Sequence, residues 1–270
     1  MDEARARLLD ADEPPPFTVE HADGTSPFFL TADHAGRLLP RRLGDLGVSA
    51  AELQRHIAWD IGIAGVSRRL ADRLDAFLIL QTYSRLVIDC NRSPEVDSSI
   101  CVVSERTQIP GNRELSATER ALRISEIFEP YHRRIVAELD RRRAEGRPTV
   151  LIAMHSFTPV FKGVARPWHI GVLYNRDPGF AHTLRDLLEA EGDLAVGDNE
   201  PYFISDESDY GIPVHGERRG IAHVELEIRQ DLIADALGQE AWAERLARLL
   251  PRAYDRLSST PRRSPVETAR

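Results

Sequence analysis

The chain has 270 residues, 42% of them hydrophobic and 29% charged, which is enough apolar material for a full core. Its formal net charge of -8 argues against nucleic acid and against anionic membrane surfaces, both of which call for a basic face. With two cysteines, Cys90 and Cys101, and no C-x-x-C, a disulfide framework is excluded. The first residues lack the basic-then-apolar pattern of a signal peptide, and no apolar run approaches the ~20 residues of a membrane span. A cytoplasmic protein is expected.

Taken in chain order, residues 1–24 form a polar lead-in stiffened by Pro14, Pro15 and Pro16, and are expected to be peripheral. A strand follows at 28–32 (FFLTA), then a capped helix beginning SAAELQRHI, where Ser49 and Glu52 have the capping-box spacing. A helix over 60–74 leads to strands at 76–81 and 85–90. The short Thr82-Tyr83-Ser84 break is too tight for a parallel crossover, so these two are expected to pair antiparallel. Ser116 and Glu119 open a long helix reaching about Glu145, ahead of strands at 149–154 and 169–174. A helix at 179–191, a strand at 221–228 and a helix at 239–257 complete the pattern. Residues 258–270 are polar and Pro-broken, and a loose tail is expected there. No linker-like composition shift or repeat divides the chain, so 1–270 is read as a single domain. Apolar strands separated by helices imply a three-layer α/β sandwich with a mixed central sheet.

In such sheets ligands bind beyond the carboxyl ends of the strands. Strand 28–32 ends in Asp33-His34, strand 149–154 in His155-Ser156, and strand 221–228 around Glu227 and Arg229. One histidine after a strand is ordinarily a structural turn residue. Two at equivalent ends, with a carboxylate at a third, raise a metal site. In the last strand His223, Glu225, Glu227 and Arg229 share one face, opposite Val224, Leu226 and Ile228. Either this is a solvated edge, or the sheet buries carboxylates for a chemical purpose.

The segments AMHSFTP (153–159) and ELEIRQD (225–231) resemble two motifs of the zinc metallocarboxypeptidases. A closer resemblance is to a related family, the N-formylglutamate amidohydrolases. It rests on ADHAGRLLP (32–40), WDIG (59–62), YSRLVIDCNRSP (83–94), AMHSF (153–157) and HGERRGIAHVELEIRQDLI (215–233), which occur in family order. The resemblance implies a phosphorylase/hydrolase-like fold, one Zn2+ per chain, His34 and His155 as zinc ligands and Glu227 as general base. The implied reaction is hydrolysis of the N-acyl amide of a small anionic acylated amino acid, with N-formyl-L-glutamate as the family's substrate. The chain departs from the carboxypeptidase pattern His-x-x-Glu, because Arg37 stands three residues after His34 and a cation cannot ligate zinc.

Asp60 is therefore taken as the third ligand, although it could equally be a helix N-cap. Asp33 is the reserve, as ligand or as the carboxylate that orients His34. Arg85, Asn91, Arg92 and Arg229 are candidates for gripping substrate carboxylates, since an Arg fork matches a carboxylate bidentately. His215 could donate to the reacting carbonyl or simply stabilise its loop. His56, His132 and His182 read as structural or solvent-facing, and the cysteines as packing residues. The run Arg141-Arg142-Arg143 complements a helix dipole. Two other readings share these residues: hydrolysis of another N-acyl or peptide-like amide, and a non-catalytic metal- or metabolite-binding relative.

Overall fold

Uninterrupted apolar runs suit strands buried on both faces. In the computed structural model, which describes residues 7–259, every residue of Phe28–Ala32 and of Val150–Phe157 is buried. Seven strands form the main sheet: β1 (Phe17–Glu20), β2 (Phe28–Ala32), β3 (Phe77–Gln81), β4 (Val150–Phe157), β5 (Ile170–Leu173), β6 (Val196–Asp198) and β7 (Ala222–Arg229). Across the sheet they lie in the order β1-β3-β2-β4-β7-β5-β6. The inner strands β3, β2, β4 and β7 are mutually parallel. β1 runs antiparallel to β3 and β5 antiparallel to β7, while β6 is parallel to β5.

Four longer helices cover the faces: α1 (Ile63–Leu74), α2 (117–144, with one wide π-turn at Ile124–Phe128), α3 (Gly179–Glu189) and α4 (Ala236–Ser259). Alternation along the strands sorts side chains between the two faces. Leu30, Ile152 and Leu226 pack against Leu70 of α1, Leu184 of α3 and Leu246 of α4. On the other face Phe29, Phe77, Leu151 and Ala153 pack against Tyr131, Ile135 and Leu139 of α2. The structure is the mixed-sheet, three-layer α/β fold expected from the sequence. No helix among the described residues is long and apolar enough to cross a membrane.

Three expectations are corrected. Residues 85–90 form turns rather than a strand, closed by Val87 N–H to the Ser84 carbonyl and Asp89 N–H to the Ser99 carbonyl. Their apolar residues are buried all the same, Leu86 in a small cluster with Ile57 and Ile109, Val87 and Ile88 in the α2-side core. The antiparallel neighbour of β3 is instead β1, supplied by the lead-in. Finally, the helix opened by Ser49 lasts only over Ala50–Leu53, although Ser49 does accept from the Glu52 N–H. Residues 54–59 turn so that Ile57 and Ala58 are buried, and that burial outweighs helix propensity. The capping box at Ser116 and Glu119 is complete. Of the expected tail, 260–270 lie outside the described residues.

Candidate active site

Because β2, β4 and β7 are parallel neighbours, their carboxyl ends open on one edge of the sheet. The α2-side alternation Leu151, Ala153 continues into His155, and on β7 the same face carries Glu225 and Glu227. Both faces of β7 are buried, so the polar residues are not a solvated edge: His223, Glu225 and Glu227 are each less than one-tenth exposed. Glu227 stands directly opposite His155 in the β4–β7 pairing.

His34 follows β2 and meets His155 with Nδ1 atoms 3.1 Å apart. Asp60, just before α1, completes the group: its Oδ2 lies 3.0 Å from His155 Nδ1 and 3.6 Å from His34 Nδ1. The Asp60 backbone N–H donates to the His34 carbonyl at 2.9 Å and the Ser156 N–H donates to Asp60 Oδ2 at 3.2 Å, which fix the loop against the strand ends. Asp60 is not the cap of α1, whose N-cap is Gly62 with no side-chain bond. The three donor atoms are all buried and mutually close. A tetrahedral zinc with donors at ~2.0–2.1 Å has ligand–ligand edges of about 3.3 Å, so two imidazoles and a carboxylate at these separations fit that ion.

The surroundings support the same donors. Asp89 accepts from His34 Nε2 at 2.7 Å, the outer carboxylate that fixes an imidazole's orientation. Arg85 in turn donates to Asp89 from Nε at 3.0 Å and sits 3.7 Å from Asp60 Oδ1, while Arg92 Nε lies 3.6 Å from Asp89. Although burial opposes ionisation of Asp89, Arg85 and His34 hold its carboxyl well below the ordinary range. Asp60 is likewise lowered, with burial outweighed by His34 and His155. Glu225 and Glu227 go the other way: burial pushes each up to about 8, against the pull of His155. One carboxylate oxygen of each is buried without a hydrogen-bond partner among the described residues, as is His155 Nε2.

These groups line a cleft of about 540 Å³ together with Arg85, Asn91 and Arg92. Asn91 is also a clamp, its Oδ1 accepting from the N–H groups of Tyr210 and Gly211. Other sequence candidates lie elsewhere. Arg229 is not among the cleft-lining residues; its fork is held by Asp231 and by the carbonyls of Pro167 and Trp168. His215 is buried outside the cleft lining, its Nε2 2.9 Å from His132 Nδ1. Asp33 accepts from the Tyr131 hydroxyl and does not hold His34. Arg37 turns away, donating to Gln54 and lying over the Trp59 ring at 5.2 Å. Gly36 beside it allows the chain to pass Thr82, whose carbonyl oxygen would lie 2.1 Å from a methyl group at that position. His56, read as structural, lines the cleft; Cys90 is buried and accepts from Gln81, whereas Cys101 lines the cleft.

Sequence reasoning did not single out Asp89, Arg166 or Tyr202. For Asp89 a signal existed, a carboxylate ending the buried run LVID and followed by Asn91-Arg92.

A mixed sheet with its cleft at the ends of parallel inner strands is the architecture of the phosphorylase/hydrolase-like α/β proteins. The sequence model of the N-formylglutamate amidohydrolases matches residues 26–234, and the chain belongs to that family of amide-cleaving enzymes. A gene product of Agrobacterium tumefaciens of known structure is similar over 93% of this chain and 100% of its own, with 38% identity and a TM-score of 0.90. The N-formylglutamate amidohydrolase of Ralstonia eutropha JMP134 shares the fold, with a TM-score of 0.71 and 18% identity over 90% of this chain and 98% of its own. Among curated proteins there is no match.

Proposed function

We propose that this chain is a zinc-dependent amidohydrolase that cleaves the N-acyl bond of an acylated amino acid, with N-formyl-L-glutamate as substrate and glutamate and formate as products. The observation that carries the reading is the convergence of His34, Asp60 and His155 beside Glu227, which has a buried, unpartnered carboxylate oxygen. His34 and His155 through Nδ1, and Asp60 through Oδ2, would hold the ion. Zinc bound there supplies a Lewis acid for the amide carbonyl, acidifies a water and, through its charge, draws Glu227 toward its ionised form.

Glu227 takes the proton of the attacking water and delivers it to the amine nitrogen as the C–N bond breaks. Arg85, fixed by Asp89 and adjacent to Asp60, places a cation where the carbonyl oxygen gains charge. Arg92 and Asn91 offer donors to the α-carboxylate on the same wall. Asp89 keeps His34 in the orientation that presents Nδ1. Arg229 and His215, which are not among the cleft-lining residues, have no part in this reading. The test is formate release from N-formyl-L-glutamate, its loss on chelation and its return with one equivalent of zinc. Turnover that persists in chelator would sink the reading.

A further inference from the structure

The cleft is acidic: Asp60, Asp89, Glu105, Asp209, Glu225 and Glu227 all line it. A substrate with a second carboxylate therefore gains from a further cation that these carboxylates have not already engaged. Arg85 and Arg92 are both engaged by Asp89. Arg166 is different. It follows the short hairpin of Val160–Phe161 and Val164–Ala165, and no ion pair joins it to a carboxylate among the described residues.

Its position is nonetheless fixed. The backbone N–H donates to the Pro159 carbonyl at 2.8 Å, and NH1 donates to the Tyr202 hydroxyl at 2.8 Å. The guanidinium carbon lies 4.6 Å from the centre of the Phe161 ring, 4.7 Å from that of Tyr202 and 5.8 Å from that of Phe157. All three rings line the cleft. Stacking of this kind orients the fork while leaving in-plane N–H groups free to donate bidentately, and it settles in advance much of the rotamer entropy that binding would otherwise cost. The charge also reaches the reacting centre, since Arg166 favours the ionised form of Glu227.

We propose that Arg166, oriented by Phe161 and Tyr202, forms the subsite for the side-chain carboxylate of the substrate and sets a preference for acidic over isosteric neutral side chains. The inference rests on the amidohydrolase reading above and assigns the two carboxylates of an N-acyl glutamate to two different cations, Arg92 in the cleft lining and Arg166 stacked against the lining rings of Phe161 and Tyr202. Tyr202 acts with it as a positioning residue, its hydroxyl accepting from NH1.

The test compares N-formyl-L-glutamate with N-formyl-L-glutamine in the zinc-loaded protein and in its Arg166→Met variant, in which an apolar side chain keeps contact with the rings. The wild-type kcat/KM should favour the acid, and Arg166→Met should shrink that preference by about 10- to 100-fold, as loss of a charge-assisted pair implies. Arg166→Lys should fall between. A uniform loss on both substrates, or a preference left intact, overturns the subsite. A second arm uses calorimetric titration with glutarate and with its monoamide. Wild type should bind glutarate about tenfold or more tightly than the monoamide, a gap that Arg166→Met closes. If neither formyl compound turns over, the proposed activity has failed, and the titration alone decides the subsite: a gap that closes in the variant supports it, and no gap, or one that stays, overturns it.

Discussion

Glu227 and His155 face each other across adjacent parallel strands, and both belong to the side of the sheet that is otherwise packed against α2. The pairing sets the proposed general base and a proposed metal ligand at a separation fixed by strand spacing rather than by a loop. Replacing Glu227 by Gln removes the base and leaves the donor trio intact. Turnover should fall about 100- to 10,000-fold while zinc content, measured by plasma emission spectrometry, stays near one per chain. Near-normal turnover in that variant would rule out Glu227 as the base.

Asp89→Asn tests the outer carboxylate. The carboxylate that holds His34 Nε2 would become an amide, weakening the orientation and basicity of the ligand. Zinc affinity by competition with a chromophoric chelator should drop about 10- to 100-fold. Asp60→Ala removes a donor outright and should lose more; equal affinities in the two variants would contradict the assigned ligand set.

The metal-free protein should have a distinctive pH dependence. Burial raises Glu225 and Glu227 from an ordinary 4.5 to about 8. A folded-state value above the unfolded one means that the folded form binds the proton more tightly. The resulting stabilisation is complete below about pH 4.5 and is lost as pH rises through about 8. Asp60 and Asp89, held low, titrate beneath this window. Below about pH 6.5 the buried His132 and His215, held low, act in the opposite sense, so the melting temperature of chelator-treated protein should decline from about pH 6.5 to about 8, and Glu225→Gln should flatten the decline. A rising curve over that range would refute the buried neutral carboxyls.

Arg123 is buried and forms no salt bridge among the described residues; its NH1 donates to the Val87 carbonyl at 2.9 Å and to Asn112 Oδ1 at 2.6 Å. It fixes the turn segment that carries Arg85 and Asp89. Arg123→Met should cost roughly 2–4 kcal/mol in urea unfolding, because buried acceptors lose their donor. Zinc affinity should weaken with it, through Asp89.

Much of the site was legible in the sequence, since strand ends announce themselves: apolar runs that break into Asp33-His34, His155-Ser156 and a Glu at period two identify one edge of a sheet. Asp60 emerged by excluding Arg37, and the geometry places its oxygen against both imidazoles. What periodicity missed has physical causes. Leu86, Val87 and Ile88 are as apolar as a strand, but they bury in two different clusters from a turn, and burial alone does not specify backbone conformation. The strand beside β3 lay in the lead-in, where FTVE is short and only half-buried at the sheet edge. Arg166 and Tyr202 are 36 residues apart and meet only in space, so no local pattern joins them.

The three candidate ligands are separated along the chain by 95 residues between Asp60 and His155 and by 121 between His34 and His155. A His-x-x-Glu pair would give even a denatured chain a chelating foothold. Here the loop-closure entropy for bringing any two donors together falls on the unfolded ensemble, and only completed β2–β4 pairing with a seated α1 removes it. Zinc should thus discriminate almost wholly in favour of the native state, so that nearly all of its binding free energy appears as resistance to unfolding. A metal bound late and by distant parts of the chain makes occupancy a report on the integrity of the whole sheet.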